Sequence, residues 1–122
     1  MLPALLLVAA CASWHGSVTG FYRGEVESVG PKAIDTWIED STDGLHGRYV
    51  LHEPDRDVTG TLEPIGDESC DVALFQWTDV YGTGIARLHF MPDRHCFEGN
   101  WGRDVPLGQL PWRSCVEGRV TS

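Results

Sequence analysis

Four of the five histidines, together with a few carboxylates, are the residues of this 122-residue chain suited to acid–base or metal chemistry. The candidates are His46, His52, His89, His95, Asp79, Asp93 and Glu98. None belongs to a nucleophile elbow, a phosphate-binding loop or a HisGluXaaXaaHis zinc pattern. His89 falls on the outer face of a predicted strand, where histidines are usually solvated. The sequence therefore predicts no enzyme, no cofactor and no metal site.

Cysteine is the other residue type with reactive chemistry, and the chain has four: Cys11, Cys70, Cys96 and Cys115. No two have the short spacing that zinc sites use. Cys70 and Cys96 face outward at the starts of two predicted strands that share one antiparallel neighbour, so we predict that they form a disulfide. Pairing of Cys96 with Cys115 is the alternative. If Cys115 stays unpaired, it is expected to be a buried, inert thiol.

Large aromatic residues recur at alternate positions in the second half of the chain. The set is Phe75, Trp77, Tyr81, Phe90, Phe97 and Trp101. Two interpretations are open. The side chains fill the interior of a small barrel, which so many large residues in a short chain favour. Alternatively, Trp77, Tyr81 and Trp101 line a cavity for a small apolar or sugar-like ligand.

Short strands must position these residues. AlaLeuPheGlnTrp at 73–77, GlyIleAlaArgLeuHisPhe at 84–90 and PheGluGlyAsnTrp at 97–101 alternate apolar and polar residues, as strands with one buried face do. Comparable segments elsewhere bring the total to about eight strands joined by hairpin-sized turns. No helical stripe of ten residues interrupts them. The fold class is therefore predicted to be all-β and antiparallel.

Small and bulky residues alternate on the inner faces of five strands. The pairs are Gly47 with Tyr49, Gly60 with Leu62, Ala73 with Phe75, Ala86 with Leu88, and Gly99 with Trp101. Small barrels use this alternation to fill a tapering interior and to let strands coil. We therefore predict one up-and-down barrel domain over residues 18–122, with a β-sandwich as the alternative.

The formal net charge of −9 restricts the partners. Nucleic-acid binding draws its affinity from basic residues that neutralise phosphates, so a nucleic-acid partner is excluded. Adhesion to anionic lipid head groups is disfavoured for the same reason. Acidic clusters at 53–57 and 67–71 fall in predicted loops and suit a basic protein partner.

The first ten residues, MetLeuProAlaLeuLeuLeuValAlaAla, are apolar throughout. About ten apolar residues are too few to cross a bilayer, which takes about 20, but they match the hydrophobic region of a secretory signal. Residues 8–11, ValAlaAlaCys, resemble the lipobox of bacterial lipoproteins. That resemblance implies a signal peptide at 1–10, cleavage before Cys11 and a diacylglyceryl group, carrying acyl chains such as palmitate, on the Cys11 sulfur. Residues 11–17 would then tether the barrel to a membrane.

An ordinary signal-peptidase site offers a second interpretation of the same segment. Ala10 and Ala12 form an AlaXaaAla pattern, and cleavage after it would release a soluble secreted protein. Both interpretations predict export, the first to a bacterial cell envelope.

Several short segments are similar in rhythm to proteins of the avidin and lipocalin group of eight-stranded barrels, and to bacterial envelope lipoproteins of like size. They are ThrGlyPheTyr at 19–22, GlyArgTyr at 47–49, GlyThrLeu at 60–62, PheGlnTrp at 75–77 and PheGluGlyAsnTrp at 97–101. The lipocalin GlyXaaTrp opening is absent, and no ligand residue is carried over from either family. We expect an envelope-anchored barrel that binds a small ligand; the alternative is a solid barrel whose acidic loops bind a basic envelope protein.

Overall fold

Eight antiparallel strands form one sheet that closes on itself. The computed structural model describes residues 14–103 and 110–116. The strands are β1 Gly20–Glu27, β2 Pro31–Ser41, β3 Gly44–His52, β4 Asp57–Ser69, β5 Val72–Asp79, β6 Gly82–Phe90, β7 Cys96–Gly102 and β8 Leu110–Val116, and a short 3₁₀ helix, His15–Val18, precedes them. Within the described residues, no helix has the length and apolar character needed to cross a bilayer.

Each strand pairs with the next, and β1 closes the sheet by pairing with β8. At this seam Tyr22 lies opposite Val116, and Val26 lies opposite Trp112. Closure satisfies the backbone groups that an open edge would leave unpaired. The predicted up-and-down barrel is confirmed, and the sandwich alternative is wrong because the strands form a single closed sheet.

The predicted inner faces point inward. Tyr49, Leu62, Phe75 and Leu88 are all buried in the core. Glycine is required at position 60, because the ring of Tyr49 occupies the space that a Cβ atom would need. The alternation of small and bulky residues therefore allows a large ring on one strand to lie over the bare backbone of its neighbour.

One end of the barrel is closed by the 3₁₀ helix and an aromatic cluster. Val18 is fully buried, and its carbonyl accepts a 2.6 Å hydrogen bond from the hydroxyl of Tyr22. The ring of Trp14 lies 5.7 Å from that of Phe90, which lies 5.5 Å from that of Phe97. The described part of the predicted tether, residues 14–17, therefore packs against the barrel and forms its floor.

Strand β4 is longer than its sequence suggests. Pro64 lies within it, although proline cannot donate a ladder hydrogen bond and commonly ends a strand. The strand instead continues to Ser69, through register shifts between Pro64 and Gly66 and between Asp67 and Ser69. Bulges of this kind let a strand pass a proline and bend away from the ladder.

The predicted pairing of Cys70 with Cys96 is wrong. Cys96 on β7 lies opposite Cys115 on β8, and the two form a disulfide. Cys70 lies between β4 and β5, so two strand spacings separate it from β7. Two spacings amount to about 9 to 10 Å, which exceeds the roughly 7 Å that a disulfide spans between Cα atoms. Cys70 is also disulfide-bonded.

We expect Gly60→Ala to destabilise the barrel by about 1 to 3 kcal/mol, because the new methyl group overlaps the Tyr49 ring and must displace it. Urea unfolding measures the change. Gly16→Ala is the matched control, since a Cβ atom at Gly16 meets nothing within 4 Å. Equal stability of the two variants would contradict the packing argument.

Candidate functional site

The end of the barrel opposite the floor holds an open cavity of about 380 Å³. Its mouth is formed by the turns after β1, β3 and β5 and by residues that flank the connection from β7 to β8. Its apolar wall is made by Val26, Ile34, Leu51, Trp77, Trp101 and Trp112. A volume of this size, largely apolar and open at one end, is typical of small-molecule sites.

The predicted aromatic set divides between the two ends of the barrel. The three phenylalanines are fully buried in the core: Phe75, Phe90 and Phe97. Trp77, Tyr81 and Trp101 instead line the cavity. The three phenylalanines therefore fill the interior as the first interpretation predicts, and the other three residues line a cavity, whose ligand stays a prediction.

Three tryptophans give the cavity its chemical character. The Nε1 of Trp77 donates to the Gly102 carbonyl at 3.0 Å, and that of Trp101 donates to the Glu27 carbonyl at 2.9 Å. The Nε1 of Trp112 is buried and has no acceptor among the described residues. Two of the indole N–H groups are therefore engaged by backbone carbonyls and the third is enclosed, so the rings offer their apolar faces to the cavity.

Tyr49 and Asp79 form a polar pair at the edge of the apolar wall. The Tyr49 hydroxyl donates a 2.6 Å hydrogen bond to a carboxylate oxygen of Asp79. Burial, reinforced by this hydrogen bond, strongly raises the pKa of Tyr49. The phenol therefore remains a protonated donor at every physiological pH.

Tyr81 stands at the rim and links two other rim residues. Its hydroxyl donates to Glu53 at 2.6 Å and accepts from Arg56 at 3.0 Å. The rim is also apolar. Of the described residues, five large apolar side chains are exposed, and Val29, Val80, Tyr81 and Leu110 surround the mouth while Ile65 lies elsewhere.

The histidines considered for catalysis do not converge, and none of them lines the cavity. These four histidines and His15 each have a carboxylate neighbour: His15 with Asp67, His46 with Asp43, His52 with Asp35 and Asp57, His89 with Asp71, and His95 with Asp93. Of the candidate acids, only Asp79 lines the cavity; Glu98 is exposed on β7. No three His, Cys, Asp or Glu side chains in the described ranges group as metal ligands do.

The two acidic clusters lie at opposite ends of the barrel. Asp55 and Asp57 are beside the mouth, whereas Asp67 and Glu68 are near the far end of β4. Asp67 accepts hydrogen bonds from Trp14 and contacts His15, and Glu68 pairs with Arg87 at 2.6 Å. Binding of a basic protein remains a prediction. Because the two acidic clusters lie at opposite ends of the barrel, one partner would contact only one of them.

Sequence reasoning missed two important cavity residues, Tyr49 and Trp112. Alternation placed Tyr49 on the inner face, and the same signal was available for Trp112, which begins the last predicted strand. Neither signal tells how far along the barrel a side chain lies. That position is set by the strand pairing.

Two outer histidines make stability depend on pH. Hydrogen bonding to Asp43 raises the pKa of His46, and hydrogen bonding to Asp35 and Asp57 raises the pKa of His52. A histidine whose folded pKa exceeds its unfolded value of about 6.5 contributes its full stabilisation below that pH. The contribution is lost as the pH rises through the folded pKa.

We therefore expect the free energy of unfolding to fall as the pH rises from about 6 to 8, and His46→Gln combined with His52→Gln to flatten this slope. Urea unfolding across that pH range measures it. His95→Gln is the control, because its Nδ1 lies 3.8 Å from Asp93 and makes only a distant contact. A slope unchanged in the double variant would contradict the assignment.

No protein-family model, no curated protein and no solved structure matches the chain.

Proposed function

We propose that this protein is a non-enzymatic binding module that holds a small, largely apolar molecule in the cavity at the open end of the barrel. The observation that carries this proposal is the unequal filling of the interior. Large side chains and the 3₁₀ helix fill one end, whereas the other end keeps an open cavity of about 380 Å³. Protein interiors are normally close-packed, so an open cavity of this size is typical of a binding site.

The wall chemistry indicates what kind of molecule fits. Trp77 and Trp101 meet edge to face with ring centroids 5.4 Å apart, and Tyr49 and Trp112 meet at 5.5 Å. Such rings offer flat apolar faces to an aliphatic chain, an aromatic ring or the apolar face of a sugar.

The exposed rim residues support the same proposal. An apolar molecule enters such a site from another apolar surface or from water, and exposed apolar side chains at the mouth shield it during transfer. Val29 is 99% exposed at the tip of the β1–β2 turn, and Val80 is 69% exposed in the β5–β6 turn. Clustered exposed apolar residues mark interaction sites more often than scattered ones do.

We propose that the protein is exported. The Cys96–Cys115 disulfide and the bonded state of Cys70 suit an oxidising compartment, because cytosolic thiols are kept reduced. The predicted signal at residues 1–10 points the same way but lies outside the described residues.

Membrane attachment through Cys11 remains a prediction, because Cys11 lies outside the described residues. Its chemistry is linked to that of Cys70. The chain has four cysteines, Cys96 and Cys115 are bonded to each other, and Cys70 is bonded as well. The sulfur of Cys11 can carry a lipid or join a disulfide, but it cannot do both.

Binding in the cavity is tested with N-phenyl-1-naphthylamine, a neutral apolar dye that fluoresces when bound. We expect saturable binding to the wild type, and at least tenfold weaker binding to Leu51→Trp, because the added ring occupies the cavity. Trp37→Leu is the control, since Trp37 lies on the outer face, stacked on Phe21. Ile34→Phe is a second blocking variant, and circular dichroism shows that each variant is folded. Equal binding by the blocked and control variants would sink the proposal.

The anchor is tested by mass spectrometry of protein purified from the envelope and digested without reduction. If Cys11 anchors the protein, its peptide is expected to carry the mass of a diacylglyceryl group, and the protein should partition into detergent. A peptide in which Cys11 is joined to Cys70 would contradict the anchor. The protein would then be an exported protein without that attachment.

A further inference from the structure

Four charged side chains line the cavity near its mouth: Lys32, Glu53, Asp79 and Arg103. Arg56 lies outside this lining, on the outer side of the rim against Glu53 and Tyr81. The four lining side chains are separated by sign around the barrel. Lys32 belongs to β2 and Arg103 follows β7, so the cations lie on the half formed by β7, β8, β1 and β2. Glu53 follows β3 and Asp79 ends β5, so the anions lie on the half formed by β3 to β6.

These opposite charges do not neutralise one another. No ion pair within 4 Å joins Lys32 or Arg103 to Glu53 or Asp79 among the described residues. The Lys32 Nζ instead donates to the carbonyls of Ser28 and Val29, at 2.6 and 3.0 Å. An ammonium has three donors, so one remains for a ligand.

The anionic half is held rigidly. Asp79 accepts hydrogen bonds from the Tyr49 hydroxyl at 2.6 Å and from the Tyr81 backbone N–H at 2.8 Å, both of which fix its carboxylate. No cation lies within 4 Å of Asp79 in the described part of the chain. The Glu53 side chain is only 14% exposed and lies 3.6 Å from Arg56, so its charge is partly compensated. Asp79 is therefore the stronger site for a cationic group.

We propose that the cavity binds a zwitterionic molecule: its apolar body lies against the tryptophans, its anionic group meets Lys32 and Arg103, and its cationic group meets Asp79 and Glu53. This proposal rests on the proposed function of the same cavity. A dipolar mouth attracts a dipolar head group in one orientation, and it leaves one charge of the mouth unmatched when the ligand carries a single charge. Both a lipid with a phosphocholine head and an α-amino acid with a long side chain have this chemistry.

The test compares ligands that share an apolar chain and differ in the head group. Isothermal titration calorimetry is run below the micelle concentration with octylphosphocholine, octyl phosphate, octyltrimethylammonium and octyl glucoside. We expect the zwitterion to bind at least tenfold more tightly than the other three. The series 2-aminodecanoate, decanoate and decylamine then distinguishes an amino acid from a lipid head group as the source, and tight binding of either zwitterion supports the proposal.

Two variants assign the orientation. Asp79→Asn removes the charge and keeps one acceptor oxygen for Tyr49 or Tyr81, and we expect it to weaken binding of octylphosphocholine and octyltrimethylammonium at least fivefold without weakening that of octyl phosphate. Arg103→Gln should weaken octylphosphocholine and octyl phosphate and spare octyltrimethylammonium. Lys32→Gln is expected to match Arg103→Gln. The last variant also removes the hydrogen bonds to the β1–β2 turn, so Arg103→Gln is the cleaner test.

The outcomes separate this inference from the function on which it rests. If octyl glucoside binds as tightly as octylphosphocholine, the cavity binds apolar molecules and the inference about the head group is overturned. If no compound of either the octyl or the ten-carbon series binds, both the inference and the proposed function fail.

Discussion

Closure of the sheet between β1 and β8 depends on places where the strands approach without side chains between them. At Gly24, a Cβ atom would collide with the Arg113 carbonyl and the backbone of Ser114 on β8. The same geometry recurs at Gly99, where the Arg87 carbonyl occupies the space. Strands that curl this tightly require glycine, because any side chain would separate them. The cavity exists because the sheet closes, since an open sheet would place Val26 and Trp112 apart.

The difference between the two ends of the barrel follows from which residues face inward at each level. Near the floor, the rings of Tyr22, Phe90 and Phe97 contact one another, and the 3₁₀ helix covers them. Near the mouth, the charged side chains Lys32 and Asp79 face the opening. Charged groups resist burial unless they are paired, so this end stays accessible to water and to polar head groups.

Most of the fold could be predicted from sequence because strand alternation is a local property. The inner face of β5, with Phe75 and Trp77, follows directly from the period of two. The period of two does not tell which of these residues fills the floor and which lines the cavity. The height of a side chain along the barrel depends on the stagger of all eight strands. The preferred partner of Cys96 was wrong, and the alternative, Cys115, is the one observed, for the same reason, since the pairing depends on β8 returning to lie beside β7. The continuation of β4 past Pro64 was hidden because a bulge has no strong sequence signal.

The candidate site was predicted in part. Trp77, Tyr81 and Trp101 line the cavity, as their spacing suggested. Asp79 was a candidate acid whose hydrogen-bond partner could not be predicted. Long-range pairing brings Asp79 to Tyr49, 30 residues earlier in the chain. The segregation of charge at the mouth was likewise beyond the sequence, because it requires the order of strands around a closed barrel.

The most direct test of the central claim is a ¹H–¹⁵N correlation spectrum of the tryptophan indoles, recorded as 1-octanol is added. The chain has five tryptophans, and each gives one indole N–H signal. If the molecule occupies the cavity, the signals of Trp77, Trp101 and Trp112 shift together in a saturable way, whereas those of Trp14 in the floor and Trp37 on the outer face stay in place. Shifts confined to Trp37 or Trp14, or no shift at all, would contradict a ligand site inside the barrel.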